Sequence, residues 1–407
     1  MNRASPDLPG RCDVVVVGAG IVGLATAWKL VAADPAPRVL VVDKEPVIAA
    51  HQTGRNSGVI HSGIYYAPGS AKATTCRAGR AELVAFCAEH GVPHQLCGKV
   101  IVACDAGEVP RLDRLAERGH RNGVALERLD RSGLAEREPA VAGVAALLVR
   151  DAGVVDFGAV AHTLARLVGE RGGLVQGGVT VLGMAETGRS VRVETTAGPV
   201  EAAVAVNCAG LFSDRVAAAA GAGGGPRIMP FRGEYHHVVG PSAELVRHLI
   251  YPAPDPRFPF LGVHLTRGVD GSVHAGPNAV IALSREGYRW RDVSGRDLAE
   301  MARSPSSWRL ARRHWRTGLG EVHRSLSRRA LARALQRLVP ALDPADLEPA
   351  PSGVRAQAIS PDGTLVDDFA WRETARTVHV VNAPSPAATA CLAIGREVAD
   401  RVRARLG

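Results

Sequence analysis

The chain is 407 residues long, 46% hydrophobic and 22% charged, a balance that excludes extensive disorder and, at this length, a single simple core. Its seven cysteines, at 12, 76, 87, 97, 104, 208 and 391, include no CxxC pair; this argues against a zinc site or disulfide framework and for free thiols in a reducing cytoplasm, with no metal expected. The formal charge is +9, yet residues 301–340 alone carry ten Arg and one acid, Glu321, so the rest of the chain is neutral.

Residues 1–11 are polar and lack the apolar run of a signal peptide. Residues 12–17, CDVVVV, read as a fully buried parallel strand. A helix over 20–33 and a buried strand over 38–42 complete a βαβ unit. Glycines at 18, 20 and 23 punctuate this apolar stretch too heavily for a membrane span. Further on, helices are expected at 71–90, 107–122 and 156–172, and strands at 98–103, 179–182, 191–195 and 204–207. From about 226, Pro, aromatic and His residues become frequent, and period-2 runs (235–239, 261–265) predict an antiparallel sheet in a second domain. Helices over 296–338, a strand at 377–382 and a helix over 386–403 close the chain.

Gly18, Gly20, Ile21, Val22 and Gly23 lie in a GxGxxG pattern between a buried strand and a helix, the context in which glycines admit a pyrophosphate to a helix N-terminus. Asp43 ends the second strand, placed to accept hydrogen bonds from a ribose diol. One such fingerprint, at the start of the chain, fits an enzyme with FAD as its sole dinucleotide.

Residues 51–66, HQTGRNSGVIHSGIYY, offer small polar groups and glycines to a flat ring. Together with CGKVIVA (97–103), NCAG (207–210), PFRGEY (230–235), RFPFLGVHLTR (257–267), GPNAV (276–280), REGY (285–288), GVRAQAISPDG (353–363), LVDDF (365–369) and NAPSPAAT (382–389), this loop resembles the L-2-hydroxyglutarate oxidases and dehydrogenases of the D-amino-acid-oxidase-like flavoproteins. The resemblance implies an α/β plus α+β fold. A Rossmann-like FAD-binding domain (10–96, 146–225, 346–407) is interleaved with a mostly antiparallel sheet cap (97–145, 226–345). It implies non-covalent FAD, touched also by Lys44, Thr53, Asn56, Ser57, Gly58, Val179, Ala209, Gly210 and Gly363, and by a helix start at Pro386, Ala387, Ala388 and Thr389. His51 and Cys76 are the residues able to form a flavin bond. Asp43 stands where related flavoproteins more often have Glu, and Arg267 where some have Pro-Arg.

Oxidising a 2-hydroxy acid needs a cation for the carboxylate, a base for the hydroxyl proton and a C–H aimed at the flavin. By resemblance Arg355, in the GxR motif, takes the carboxylate. His264 and His61 compete as the base, since imidazole titrates near neutrality. Arg232, Tyr65, Tyr66 and Tyr251 are candidates for the distal carboxylate of a five-carbon diacid; Arg232 has the alternative of bracing the cap. His236, His237 and His274 read as structural.

In the Arg-rich segment Trp308, Trp315, Leu319, Val322 and Leu326 recur at helical spacing. That pattern fits an ordinary amphipathic helix, or docking on an anionic membrane surface that delivers electrons to a quinone. Pro305, Gly318 and Gly320 argue against one continuous helix there. The expected activity is oxidation of L-2-hydroxyglutarate to 2-oxoglutarate, with quinone or O2 as final acceptor, in a cytoplasmic protein that visits the inner face of the membrane. The alternatives are another 2-hydroxy acid, an amino acid or glycerol 3-phosphate as substrate, or a non-catalytic flavoprotein binding membrane or nucleic acid; no nucleic-acid recognition motif supports the last.

Overall fold

The structure, a computed structural model, describes residues 6–255 and 262–406; residues 257–261 of the RFPFLGVHLTR stretch lie outside them. In chain order the elements that place the site begin with β1 (Arg11–Val17), α1 (Ile21–Val31), β2 (Val39–Asp43), α2 (Ala71–Glu89) and β3 (Lys99–Ala103). There follow α3 (Phe157–Glu170), β4 (Val200–Asn207), β5 (Arg227–Val238), β6 (Leu249–Pro252) and β7 (His264–Arg267). The last are α4 (Pro305–Leu326), β8 (Leu347–Ile359), β9 (Thr377–Asn382) and α5 (Cys391–Leu406).

The valine run at 14–17 forms the centre of an eight-stranded sheet. β1 pairs in parallel with β2 and β4, β2 with Leu174–Gly177, and β4 with β9. A strand covered on both faces needs no polar alternation, which is why these segments read as continuous apolar runs. Helices α1, α3 and α5 cover one face, burying Leu24, Leu164 and Ile394 in a single cluster. α1 and α5 approach so closely that a Cβ on Gly395 would lie 2.7 Å from the Ala25 carbonyl carbon.

A second sheet of nine strands forms the cap. It is antiparallel except where β6 runs parallel to β3, with Tyr251 opposite Ile101. Its spine is the long pair β5–β8, running from Arg227↔Ile359 to Val238↔Leu347. The boundaries expected at 145/146 and 345/346 therefore need correction. Ala145–Val149 pairs with β3, and β8 pairs with β5, so both segments belong to the cap sheet. The C-terminal helix begins at Cys391, not 386: residues 386–390 form turns. In the Arg-rich region the expected break at Gly318 and Gly320 falls instead at His314, whose φ of −120° interrupts α4.

Candidate active site

Between the two sheets lies a cavity of about 940 Å³. Its deep end is the glycine turn after β1. Gly18 has φ +108°, and a Cβ there would lie 2.4 Å from the Cys208 carbonyl oxygen; a Cβ on Gly23 would lie 1.9 Å from the Gly18 oxygen. No larger residue fits either position. α1 starts at this turn with no side-chain cap and no acid in its first turn, so its N-terminal donors and dipole face the cavity. Ile21 N donates to Thr53 Oγ1 at 3.0 Å. Asp43 accepts from Ala19 N at 2.7 Å and Glu45 N at 2.9 Å, so it holds the turn in shape as well as lining the cavity.

The middle of the cavity is walled by Lys44, Thr53, Asn56, Ser57, Val179, Ala209 and Gly210. Asn56 fixes the loop internally: its amide donates to Thr53 O at 2.6 Å and its Oδ1 accepts from Gly58 N at 2.8 Å. Lys44 is ion-paired with Glu45 and Glu286. Pro386, Ala387 and Ala388 line the wall, while Thr389 sits one layer back, its hydroxyl accepting from His61 N at 3.0 Å. Gly23 and Gly58 also shape the turn and loop from behind. Gly363 is elsewhere: its Cα faces Arg309 at the start of α4, and a Cβ there would lie 2.5 Å from the Arg309 Cβ. A flavin contact from Gly363 is thus corrected; the chain turns away after Ile359 to pack on α4. A helix start whose N-cap is Gly20, a glycine turn that excludes side chains and a polar loop around an elongated cavity fit a dinucleotide such as FAD.

At the cap end the cavity is lined by His61, Tyr65, Tyr66, Tyr235, Tyr251, His264 and Arg355. His264 Nδ1 lies 2.9 Å from the Gly262 carbonyl oxygen. A carbonyl only accepts, so Nδ1 carries the proton and Nε2 keeps its lone pair. The imidazole stacks on Tyr251 at 3.8 Å between ring centroids. Burial, despite the Gly262 bond, and the nearby Arg355 and Lys99 charges push its pKa down to about 3. His61 is likewise held near 3, by burial first and Lys99 next, and its Nε2 meets Ser385 Oγ at 3.1 Å. Arg355 stands on β8 opposite Phe231 and is hydrogen-bonded to Tyr235.

Of the distal-carboxylate candidates, Tyr65, Tyr66 and Tyr251 reach the cavity and Arg232 does not. Arg232 is fully buried, donates to Glu234 Oε1 at 3.0 and 2.8 Å and lies over Trp290. Strand alternation sends Arg232 and Glu234 to one face of β5 and Tyr235 to the other, so Arg232 braces the cap. At the cap end, two cations escaped the sequence reading. Lys72 lines the cavity and bonds Asp367 at 3.0 Å. Lys99 is buried behind Tyr65 and Tyr251. Cys76 is buried with its thiol toward the His61 carbonyl, and His51 is engaged by Glu45, Glu286 and Tyr288.

A Rossmann-type sheet with a glycine turn, capped by a second sheet over a histidine–arginine cavity, defines a flavin-type oxidoreductase. The chain belongs to the DAO family of FAD dependent oxidoreductases, whose family description matches residues 13–401. Among curated proteins it is similar to the L-2-hydroxyglutarate dehydrogenase of Escherichia coli strain K12, 44% identical over 97% of this chain and 94% of that one. It is also similar to the mitochondrial L-2-hydroxyglutarate dehydrogenase of Homo sapiens, 41% identical over 97% and 89%. Among solved structures, the L-alpha-glycerophosphate oxidase of Mycoplasma pneumoniae shares the fold with TM-score 0.79 at 23% identity, covering 96% of this chain and 94% of that one. Glycine oxidase from Geobacillus kaustophilus does so with TM-score 0.73 at 18% identity, covering 98% and 96%.

Proposed function

We propose that the chain oxidises the 2-hydroxyl of L-2-hydroxyglutarate, giving 2-oxoglutarate. The observation that carries this reading is the pairing, in one cavity beside the dinucleotide cradle, of a neutral imidazole whose Nε2 keeps its lone pair and a guanidinium. Support for the substrate comes from the two dehydrogenases named above, which are similar over nearly the whole length.

In this reading Arg355 binds the C1 carboxylate as a bidentate pair, oriented by Tyr235. His264 Nε2 takes the hydroxyl proton, and the bond from Nδ1 to the Gly262 carbonyl keeps the ring turned for that purpose. His61, tied to Ser385, is the second candidate for that proton. The C2 hydrogen leaves with its electron pair, so the substrate loses two electrons and two protons overall. When bound, FAD supplies the acceptor for that hydride. Lys44, Thr53, Asn56, Ser57, Val179, Ala209, Gly210 and the 386–388 turn hold the cofactor without a covalent bond.

The electrons pass on to a quinone or to O2. An exposed row on α4 favours delivery at a membrane: Trp308, Trp315, Leu319 and Leu326 are each more than half exposed, among the exposed Arg309, Arg312, Arg313 and Arg316. No helix among the described residues is long and apolar enough to cross a membrane, so the contact is peripheral.

The test is anaerobic titration of the purified holoprotein with L-2-hydroxyglutarate, the D enantiomer serving as control. Bleaching of the flavin absorbance by the L form alone is expected. An oxidised flavin with both enantiomers overturns the substrate, and a wider panel of hydroxy and amino acids then follows.

A further inference from the structure

Lys99 is a charge-bearing side chain that the reaction outlined above does not use. It opens β3, is 1% exposed, and its ammonium lies 4.5 Å from the Tyr65 ring centroid and 4.8 Å from that of Tyr251. Among the described residues no carboxylate stands within ion-pair distance of it. A buried ammonium without a counter-ion is costly, and two aromatic faces recover only part of that cost. The residues in front of it line the substrate end of the cavity. One of them carries a second unmet need: the Tyr65 hydroxyl is buried and has no hydrogen-bond partner among the described residues. Burial raises the Tyr65 pKa well above its ordinary value, so that hydroxyl stays a donor.

An unbalanced positive charge and an unused donor at one wall call for the same thing, an anionic oxygen brought by the ligand. Arg355 already serves one carboxylate. We propose that the Tyr65 hydroxyl and the Lys99 ammonium behind it recognise the second carboxylate of a dicarboxylate substrate, and that Lys99 is the positioning residue that makes the enzyme prefer diacids over monoacids. The inference rests on the reaction proposed above.

The charge of Lys99 is itself conditional. Burial lowers its pKa to about 7. The groups facing it are Tyr65, Tyr251, His61, His264 and Cys76. None of the first four offers it an anion, and the Cys76 thiol is pushed up to about 12. Above about pH 7 the free site therefore loses the charge that a second carboxylate needs, so diacid binding takes up a proton. The KM for the diacid is expected to rise with pH above 7, while that for a monoacid is not.

The experiment compares L-2-hydroxyglutarate with L-2-hydroxypentanoate, the same five-carbon chain without the distal carboxylate, by steady-state reduction of a dye acceptor. Variants are Lys99→Met, Lys99→Arg and Tyr65→Phe, each first checked for FAD content. Lys99→Met is expected to lower kcat/KM for the diacid about 10- to 100-fold, through KM, and to leave the monoacid within about twofold. Lys99→Arg should restore part of the preference. If Lys99→Met loses its FAD, Tyr65→Phe, which keeps the ring over the lysine, carries the test with the same loss of diacid preference. Equal losses on both acids, or an undiminished diacid preference, overturn the inference. A wild-type enzyme that L-2-hydroxyglutarate does not bleach overturns instead the reaction on which it rests.

Discussion

At the scale of single residues, the two histidines differ in how firmly they are aimed. His264 is held through Nδ1 by a backbone carbonyl and through its face by Tyr251; His61 presents its Nε2 to a serine hydroxyl. A base whose other nitrogen is fixed loses less on reaching the reactive geometry. His264→Ala is therefore expected to slow anaerobic flavin reduction by about 10²- to 10⁴-fold with FAD retained, and His61→Ala to slow it less. The sign of the pH dependence follows from burial. With a pKa near 3, well below the near-neutral titration for which the sequence reading chose an imidazole, His264 is deprotonated throughout the neutral range and loses its base form only as pH falls toward 3. The limiting reduction rate should then be flat from pH 5 to 8, whereas the diacid KM moves near 7 through Lys99. A limb at pH 6 to 7 in the limiting rate, measured by stopped flow, places the base elsewhere. Arg355 and the two histidines were legible as residues of the cavity because they sit in strings that resemble a family. Lys99 was not, although CGKVIVA was part of the same resemblance. Within its own segment it reads as the first residue of an apolar strand, and only the packing of Tyr65 and Tyr251 over it reveals a buried charge. Arg232 misled for the converse reason: its string is distinctive, but strand alternation turns the side chain toward Glu234 and away from the cavity.

At the scale of elements, the parallel strands and the glycine turn were readable because both depend on local chemistry. A run of valines suits a strand buried on both faces, and GxGxxG suits a turn with no room for a Cβ. The strand partners of β8 were not readable. Its thirteen residues follow the cap in sequence and return to β5 in space, a long-range pairing that periodicity does not encode. α4 shows what periodicity does encode. Trp308, Trp315, Leu319 and Leu326 recur at intervals of seven, four and seven, and the structure leaves all four uncovered, Trp308 before the break at His314 and the others after it. Leu310, on another face, is buried against Met229 and Phe231, so the helix docks on its own domain with one face and leaves the tryptophans to solvent. Membrane docking through this row predicts that the holoprotein cosediments with phosphatidylglycerol-containing vesicles and that its tryptophan emission shifts to the blue. Trp308→Ala with Trp315→Ala should cut the bound fraction several-fold and leave turnover with a soluble dye unchanged. Equal sedimentation of the double variant assigns the row another purpose. Loss of wild-type binding in high salt, with the tryptophans intact, measures the share contributed by the arginines.

At the scale of the whole molecule, the two sheets are joined over the cofactor cradle by charges from both sides. Glu286, in the 285–288 stretch of the cap, pairs with Lys44 and His51 from the nucleotide-binding side, and Tyr288 bonds His51. Nearby, Gln52 Oε1 accepts from Ala356 N at 3.0 Å, and a Cβ on Gly353 would lie 2.1 Å from the Arg55 oxygen. The cap thus closes directly on the loop that walls the cavity, so loosening this contact should also release the cofactor. Burial works against the charge on Glu286, but His51 and Lys44 outweigh it and hold its pKa down to about 2, against an ordinary 4.5. A carboxylate depressed in this way contributes stability above pH 4.5, and that contribution is lost as pH falls from 4.5 toward 2. His51 acts with the opposite sign. Its pKa is raised above the ordinary 6.5, against the effect of burial, by Glu286 and Glu45, so its contribution is complete below 6.5 and fades as pH climbs through the raised value. The joint is therefore firmest at mildly acid pH. Glu286→Gln is expected to melt below wild type at pH 6, to release FAD more readily on dilution, and to show a shallower fall in melting temperature between pH 4.5 and 2, because it no longer has that charge to lose. Thermal melts followed by flavin fluorescence across this range decide the matter. An acid limb of unchanged steepness in the variant means that the acid sensitivity lies in carboxylates other than Glu286.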